Sequence, residues 1–234
     1  YWAQLESSKS FAKEFMSKFD IKTAEYFVLD DYLQVDNILS KFEKPPVIKA
    51  DGLAQGKGVY LPKTFDEARQ IAKEFLEGKF GKSSKKNILE KRLYGRELSV
   101  FSFWDGKTLL SFPPACDFKK LLDDDMGDNT GGMGSAFPCV LSDFEKKEVD
   151  EYLLKLEKAL KDSKANFCGV IYSGLMMCDD GLYVLEYNMR FGDPEIQSVL
   201  NNFSGDILDV FFKMVGGKLD EVEFKFSDEP SYCV

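Results

Sequence analysis

Residues Tyr183 to Gln197 read YVLEYNMRFGDPEIQ, and three of them have the right types and spacing to act on one ligand. Side chains along a strand alternate faces, so Glu186, Asn188 and Arg190 share one face while Leu185, Tyr187 and Met189 share the other. A carboxylate, an amide oxygen and a guanidinium in a row suit a hard cation beside an anion. Mg2+ takes one or two protein oxygens together with phosphate oxygens, and arginine forks onto phosphate. The run then stops at Phe191-Gly192-Asp193-Pro194, a turn. A solvated strand face would carry the same triplet, so its meaning depends on what the rest of the chain brings to it.

Two other stretches carry anion-binding chemistry. Val47 to Ala50 reads as a short strand, followed by the glycine-rich loop DGLAQGKG at 51–58 and a strand from Val59 to Leu61. The loop does not fit the G-x-x-x-x-G-K-[ST] phosphate motif, because it is one residue short, Gly58 stands where the hydroxyl should be, and no helix follows. It reads as a flap whose amides, at Gly52, Gly56 and Gly58, can close over phosphates while Lys49 reaches in from the strand. Earlier, Ser7 and Ser8 open an amphipathic helix marked by Phe11, Phe15, Met16 and Phe19. Lys9 lies in its first turn, where the helix dipole disfavours a cation unless an anion is near.

The elements that must position these residues alternate between strands and helices. Thr23 to Leu29 reads as a strand and Tyr32 to Phe42 as a helix. Thr64-Phe65-Asp66-Glu67 is a capping box for a helix to Leu76, and Gly78 stops it. Lys79 to Lys86 is a basic, solvated loop. A strand from Asn87 to Arg92 runs on to Glu97, and Leu98–Trp104 pairs with Thr108–Phe112 about an Asp105-Gly106 turn. Pro113 to Leu141 shows no periodicity and reads as one long functional loop, holding DFKK at 117–120, acidic residues 123–125 and NTGGMG at 129–134. Ser142 to Glu145 is a second capping box, for a helix to Leu160. Phe167–Cys178 and Leu182–Met189 form another hairpin, and Ile207–Val215 a closing helix.

Composition narrows the chemistry. The 234 residues are 44% apolar, ample for a core, and 40 acidic against 31 basic side chains give a net charge of -9. That balance argues against general affinity for nucleic acid or anionic membrane. There is no histidine, which excludes histidine bases, histidine metal ligands and Ser-His-Asp triads. The five cysteines, at 116, 139, 168, 178 and 233, form no C-x-x-C pair and read as reduced thiols of a cytoplasmic protein. No apolar run is long enough to span a bilayer and no signal peptide opens the chain. The missing initiator Met and the strand-like SYCV at the end suggest a piece of a longer protein.

In order along the chain, AQLESSKSF, VIKADGLAQGKGV, ILEKRLYGRELS, DNTGGMG and VLEYNMRFGDPE resemble the ATP-grasp ligases, and within them the phosphoribosylamine-glycine ligases. RFGDPE is the most specific of the five. The resemblance implies an α+β fold with two subdomains whose antiparallel sheets clamp ATP. The lid would comprise 23–88, the larger subdomain 1–22 with 89–226, and 227–234 would begin a further domain. It also implies ATP-dependent joining of glycine to phosphoribosylamine through a glycyl phosphate, with ATP and Mg2+ (or Mn2+) required and flanking domains of the same protein as partners.

Read through that resemblance, Lys9 and Lys49 hold ATP phosphates beneath the 51–58 flap. Glu90 and the main chain of Lys91 and Leu93 meet adenine, and Glu97 takes the ribose hydroxyls. Glu186 and Asn188 hold magnesium, and Arg190, with Lys49, faces the transferred phosphoryl group. Asp117, Asn129, Thr130, Gly131, Gly132, Asp193 and Glu195 are the candidates for glycine and phosphoribosylamine. The sequence departs from the family at Phe118, where histidine is usual, and at Gly174, where many ATP-grasp enzymes carry a second metal carboxylate. Two other readings share these residues: a different ATP-grasp carboxylate-amine ligase, such as a biotin carboxylase relative, and a nucleotide-binding module without turnover.

Overall fold

A computed structural model of the chain describes residues 1–54, 58–81, 85–124, 126–227 and 229–234, with only the backbone of Asp128 and Asn129. Residues 3–94 with Tyr1 form one compact unit, and residues 95–234 with Trp2 form another.

The first unit opens with α1 (Gln4–Ser7) and α2 (Lys9–Lys18), whose N-terminus is capped by the Ser8 hydroxyl accepting from the Phe11 amide. Its sheet contains β1 (Tyr26–Leu29), β2 (Val47–Ala50), β3 (Val59–Tyr60) and β4 (Asn87–Glu90) in the order β1-β4-β2-β3, all antiparallel. The helix expected over Tyr32–Phe42 is shorter: a 3₁₀ turn at Tyr32–Gln34 leads into α3 (Val35–Leu39). α4 (Phe65–Leu76) begins where the Thr64 hydroxyl takes the Glu67 amide. Leu29, Ile48, Ala50 and Leu89 pack against Ile38, Leu39, Ala68, Ile71 and Phe75 of the two helices to make the core. Alternation then turns Tyr26, Ile88, Glu90 and Lys49 to the opposite face.

The strand expected to run unbroken from Asn87 to Glu97 divides. β4 ends at Glu90, and β5 (Arg96–Trp104) starts the sheet of the second unit. That sheet has the order β10-β9-β5-β6, with β6 (Leu109–Ser111), β9 (Gly169–Cys178) and β10 (Gly181–Asn188) all antiparallel to their neighbours. α5 (Asp143–Asp162), opened by the complete Ser142–Glu145 capping box, covers one face, where the Tyr152 hydroxyl donates to Ser173 Oγ at 2.6 Å. An aromatic core built on Phe101, Phe103, Phe112 and Phe137 fills the other side, with α7 (Ile207–Val215) and β11 (Phe203–Ser204) paired to β12 (Lys225–Phe226).

The stretch 113–141 is not an open loop. It contains β7 (Cys116–Leu122) and β8 (Met126–Phe137), and β13 (Ser231–Cys233) pairs with β8 to complete a sheet of order β13-β8-β7. Register shifts between Phe118, Lys120 and Leu122 interrupt its alternation, which is why no period of two is visible in the sequence. The expectation of five reduced cysteines fails as well, since Cys116 and Cys139 are joined in a disulfide with their Cα atoms 5.5 Å apart. Cys116 opens β7 and Cys139 follows β8, so antiparallel pairing brings together two residues that spacing did not suggest. Among the described residues no helix is long and apolar enough to cross a membrane.

Candidate functional site

In the first unit the described candidate residues gather around β2 and β4. Glu90, the last residue of β4, is 3% exposed, and each of its carboxylate oxygens holds one ammonium. Lys49 Nζ lies 2.5 Å from Oε1 and Lys13 Nζ 2.7 Å from Oε2. Burial works to raise the Glu90 pKa, but Lys49 and then Lys13 outweigh it and hold the carboxyl below its usual range. Lys13 also donates to Thr23 Oγ1 at 2.6 Å. Lys91 and Leu93 lie in the connection after β4, where the Lys91 amide donates to the Glu25 carbonyl.

The flap is tied to α2 at its base. The Asp51 carbonyl accepts from the Lys9 amide (2.8 Å), and Asp51 Oδ1 accepts from the Ser10 amide (2.6 Å), so a carboxylate sits at the positive end of the helix. Lys9 is half-buried on that first turn. The Ala50 amide donates to the Gly58 carbonyl across the loop. Gly52 lies between these two attachments, and Gly56, in the middle of the flap, falls outside the described residues, as does the Asn129 side chain in β8.

In the second unit a bulge decides which way Glu186 points. Val184 pairs with Leu175, and the next pair is Glu186 with Gly174, so Leu185 is the extra residue. Strict alternation would have put Glu186 on the face of the buried Val184. The bulge turns it instead to the face of Gly174, and Asn188, opposite Tyr172, follows it. A Cβ at position 174 would stand 3.4 Å from Glu186 Cγ, so the two positions are direct neighbours on that face. A carboxylate and an amide oxygen on one face suit Mg2+ completed by phosphate oxygens. Among the described residues no group of three or more His, Cys, Asp or Glu side chains is placed to hold a metal. Arg190 lies beyond the end of β10, donating to the Phe191 carbonyl at 2.8 Å and standing 3.5 Å from Asn188 Oδ1.

The same face carries residues from four more elements. Ser99 and Ala115 exchange backbone hydrogen bonds beside β5, which brings Asp117 and Lys119 of β7 alongside Glu97. Lys119 Nζ is 2.8 Å from Glu97 Oε2 and 3.7 Å from Asp117 Oδ2. Burial would lower the Lys119 pKa, but Glu97 and then Tyr172 outweigh it and raise it. The Asp117 side chain is 4% exposed and its Oδ1 has no hydrogen-bond partner. Burial, then the nearby Glu195, push its pKa up to about 6. Glu195, which opens α6 (Glu195–Asn202), is 3% exposed, and its Oε1 accepts from Ser99 Oγ at 3.0 Å and Tyr172 OH at 2.9 Å.

The glycines of NTGGMG have a positional reason. Gly132 has φ +135°, and a Cβ there would stand 2.4 Å from Pro194 Cδ, so β8 passes hard against the turn that follows β10. The Thr130 hydroxyl holds the approach by donating to the Lys119 carbonyl and accepting from the Gly132 amide. Gly131 meets nothing within 4 Å at its Cβ position. Asp193 accepts from Gln197 Nε2 at 2.7 Å on the first turn of α6.

Sequence reasoning passed over Lys13, Ser99, Lys119 and Tyr172. A period of two carried forward from Glu97 reaches Ser99, and carried back from Gly174 reaches Tyr172, so those two were within reach of the strand pattern. Lys13 on an amphipathic helix has no such signal.

The model of the phosphoribosylglycinamide synthetase ATP-grasp (A) domain matches residues 7–196. The phosphoribosylamine-glycine ligase of Caldanaerobacter subterraneus subsp. tengcongensis is 40% identical over 235 residues, covering 99% of this chain and 56% of the relative. That of Clostridium acetobutylicum is 39% identical over 239 residues, with the same coverage. The chain therefore spans about half the length of the curated relatives it matches. Among solved structures, the phosphoribosylamine-glycine ligase of Thermotoga maritima superposes with a TM-score of 0.81 at 32% identity, covering 98% of this chain and 58% of that one. An N5-carboxyaminoimidazole ribonucleotide synthetase in its ADP complex gives 0.71 at 16% identity, covering 97% and 55%, a likeness of fold alone.

Proposed function

The chain belongs to the phosphoribosylglycinamide synthetase ATP-grasp domain family, and from that premise we propose that its parent protein joins glycine to phosphoribosylamine at the expense of ATP. Its fold is the ATP-grasp fold, α+β with antiparallel sheets. Glycine carboxylate attacks the terminal phosphate of ATP, releasing ADP, and the amine of phosphoribosylamine displaces phosphate from the resulting glycyl phosphate. Phosphoryl transfer of this kind needs positioning and charge neutralisation more than proton chemistry, which suits a site without histidine.

In this reading Lys9, Lys49 and the 51–58 flap hold the phosphates, with Glu90, Lys91 and Leu93 toward adenine and Glu97 toward the ribose. Glu186 and Asn188 would hold Mg2+, which when bound neutralises phosphate charge. Arg190 faces the transferred group, and Asp117, Thr130, Gly131, Gly132, Asp193 and Glu195, with Asn129, serve the two other substrates. Regions of the parent outside this chain hold part of the amine. The cytoplasm is the expected site of action.

The observation that most supports the reading, beside family membership, is the polar face shared by Glu97, Asp117, Lys119, Glu186 and Asn188 in one unit. The test is ADP release by the full-length parent with Mg2+, glycine and phosphoribosylamine, omitting each in turn. Dependence on all three is expected. ADP release indifferent to phosphoribosylamine, or supported by bicarbonate and biotin instead, would overturn it in favour of another ligase.

A further inference from the structure

We infer that Lys13 is a positioning residue for the nucleotide: by holding one oxygen of Glu90, it fixes the carboxylate that in turn places the Lys49 ammonium. The inference rests on the reading of Lys49 as a phosphate-binding residue and adds to it a residue that need not touch ATP.

Strand pairing sets the Lys49 backbone opposite Ile88 but leaves the ammonium at the end of a flexible four-carbon stem. Glu90 Oε1, 2.5 Å away, is where that stem ends. A carboxylate can still turn about its last bond, and Lys13 Nζ, 2.7 Å from Oε2, opposes that rotation. Lys13 is held in its turn by Thr23 Oγ1 at 2.6 Å and lies 5.5 Å from the centre of the Tyr26 ring. It is 2% exposed, although lysine on a helix is almost never fully buried unless it is paired. The contacts thus form a chain, from Thr23 through Lys13 and Glu90 to Lys49, with one lysine on each oxygen of the carboxylate. Without Lys13, Glu90 is free to offer both oxygens to Lys49 and draw the ammonium toward β4, or to leave Oε2, which has no hydrogen-bond partner among the described residues, buried without its counter-charge. Both changes displace or loosen the cation that meets phosphate.

A purely structural lysine would lower stability and leave substrate constants alone. The full-length parent enzyme separates the two roles through steady-state ADP release and thermal melting of wild type, Lys13→Met, Lys13→Arg, Lys49→Met and the Lys13→Met/Lys49→Met double variant. Lys13→Met is expected to raise KM for ATP about tenfold with KM for glycine unchanged, and Lys13→Arg to return it to within about threefold of wild type. The double variant is expected to be no worse for ATP than Lys49→Met, because both lysines act through one carboxylate. A lowered melting temperature with unchanged KM for ATP, equal rises for ATP and glycine, or additive losses in the double variant would each overturn the inference. If Lys13→Met does not fold, Lys13→Gln, which keeps a neutral donor, carries the same comparison with the same outcomes. Unchanged KM for ATP in Lys49→Met would instead remove the phosphate role of Lys49, and the role of Lys13 with it.

Discussion

The two units solve the problem of a charged interior in opposite ways. In the first, two lysines from α2 and β2 close on the single carboxylate of Glu90, and all three side chains are nearly sealed from solvent. In the second, a single lysine, Lys119, stands between Glu97 and Asp117 with Glu195 nearby, and the Glu97–Lys119 pair keeps about a third of its surface exposed. A cluster of two cations to one anion has the charge to suit phosphate, whereas a carboxylate-rich cluster has the charge to suit a metal ion or an ammonium group. Local surroundings, not the net charge of -9, therefore decide what each unit attracts.

The most severe way to break this contrast is to remove the anion from the cationic cluster. Glu90→Ala leaves two ammoniums buried side by side and is expected to destabilise the fold by about 3 to 5 kcal/mol, the range for opening a buried ion pair. Urea unfolding measures it, and a loss under about 1 kcal/mol would mean that water reaches the cluster. Lys49→Ala comes next, with ATP affinity in the parent protein weakened by roughly 1.5 to 3 kcal/mol as a charge-assisted contact is lost. Calorimetric titration of ATP into the folded variant checks this.

On the carboxylate side the sign reverses. The Asp117 pKa is raised from 3.8 to about 6, so between those values the unfolded chain ionises while the folded one resists, and stability falls as pH rises. Above about pH 6 the full penalty is in place, and below about pH 4 both states are protonated. Asp117→Asn should therefore stabilise the protein by about 3 kcal/mol near pH 7.5 and hardly at all near pH 3.5, read from denaturant midpoints at the two pH values. A destabilised variant at pH 7.5 would show that the Lys119 contact outweighs burial. The smallest effect concerns the metal. Glu186→Gln should weaken Mg2+-dependent nucleotide binding about tenfold more than metal-free binding, and equal losses would remove Glu186 as a ligand.

Much of the fold is written locally and could be read. The capping boxes at Thr64 and Ser142 start α4 and α5 where expected, because a cap involves only neighbouring residues. The turns at Asp105-Gly106 and Asp179–Gly181 likewise join the strand pairs foreseen for them. What escaped depends on partners far along the chain. Lys13 looks like any surface lysine until β4 delivers Glu90, and the Cys116–Cys139 bridge exists only because β7 and β8 pair. α6 has only eight residues and follows directly on the turn at Asp193-Pro194, too short a run for a helical period to stand out. Simple alternation groups Glu186 with Asn188, but carried back to Val184 it would bury Glu186, and the bulge that reverses this has no signal in the sequence.

The pairing of β13 with β8 also sets a timetable. Ser231 lies opposite Phe137, so roughly ninety residues must be made after β8 before its partner on that edge exists. At about 5–20 residues per second, that edge is without its partner for on the order of 5 to 20 seconds during synthesis on the ribosome. An unpaired strand edge invites other strands. The interval falls on β8, the strand that carries Thr130 and Gly132, so conditions that slow translation between residues 137 and 231 should lower the yield of correctly assembled protein before they touch the chemistry of any finished molecule.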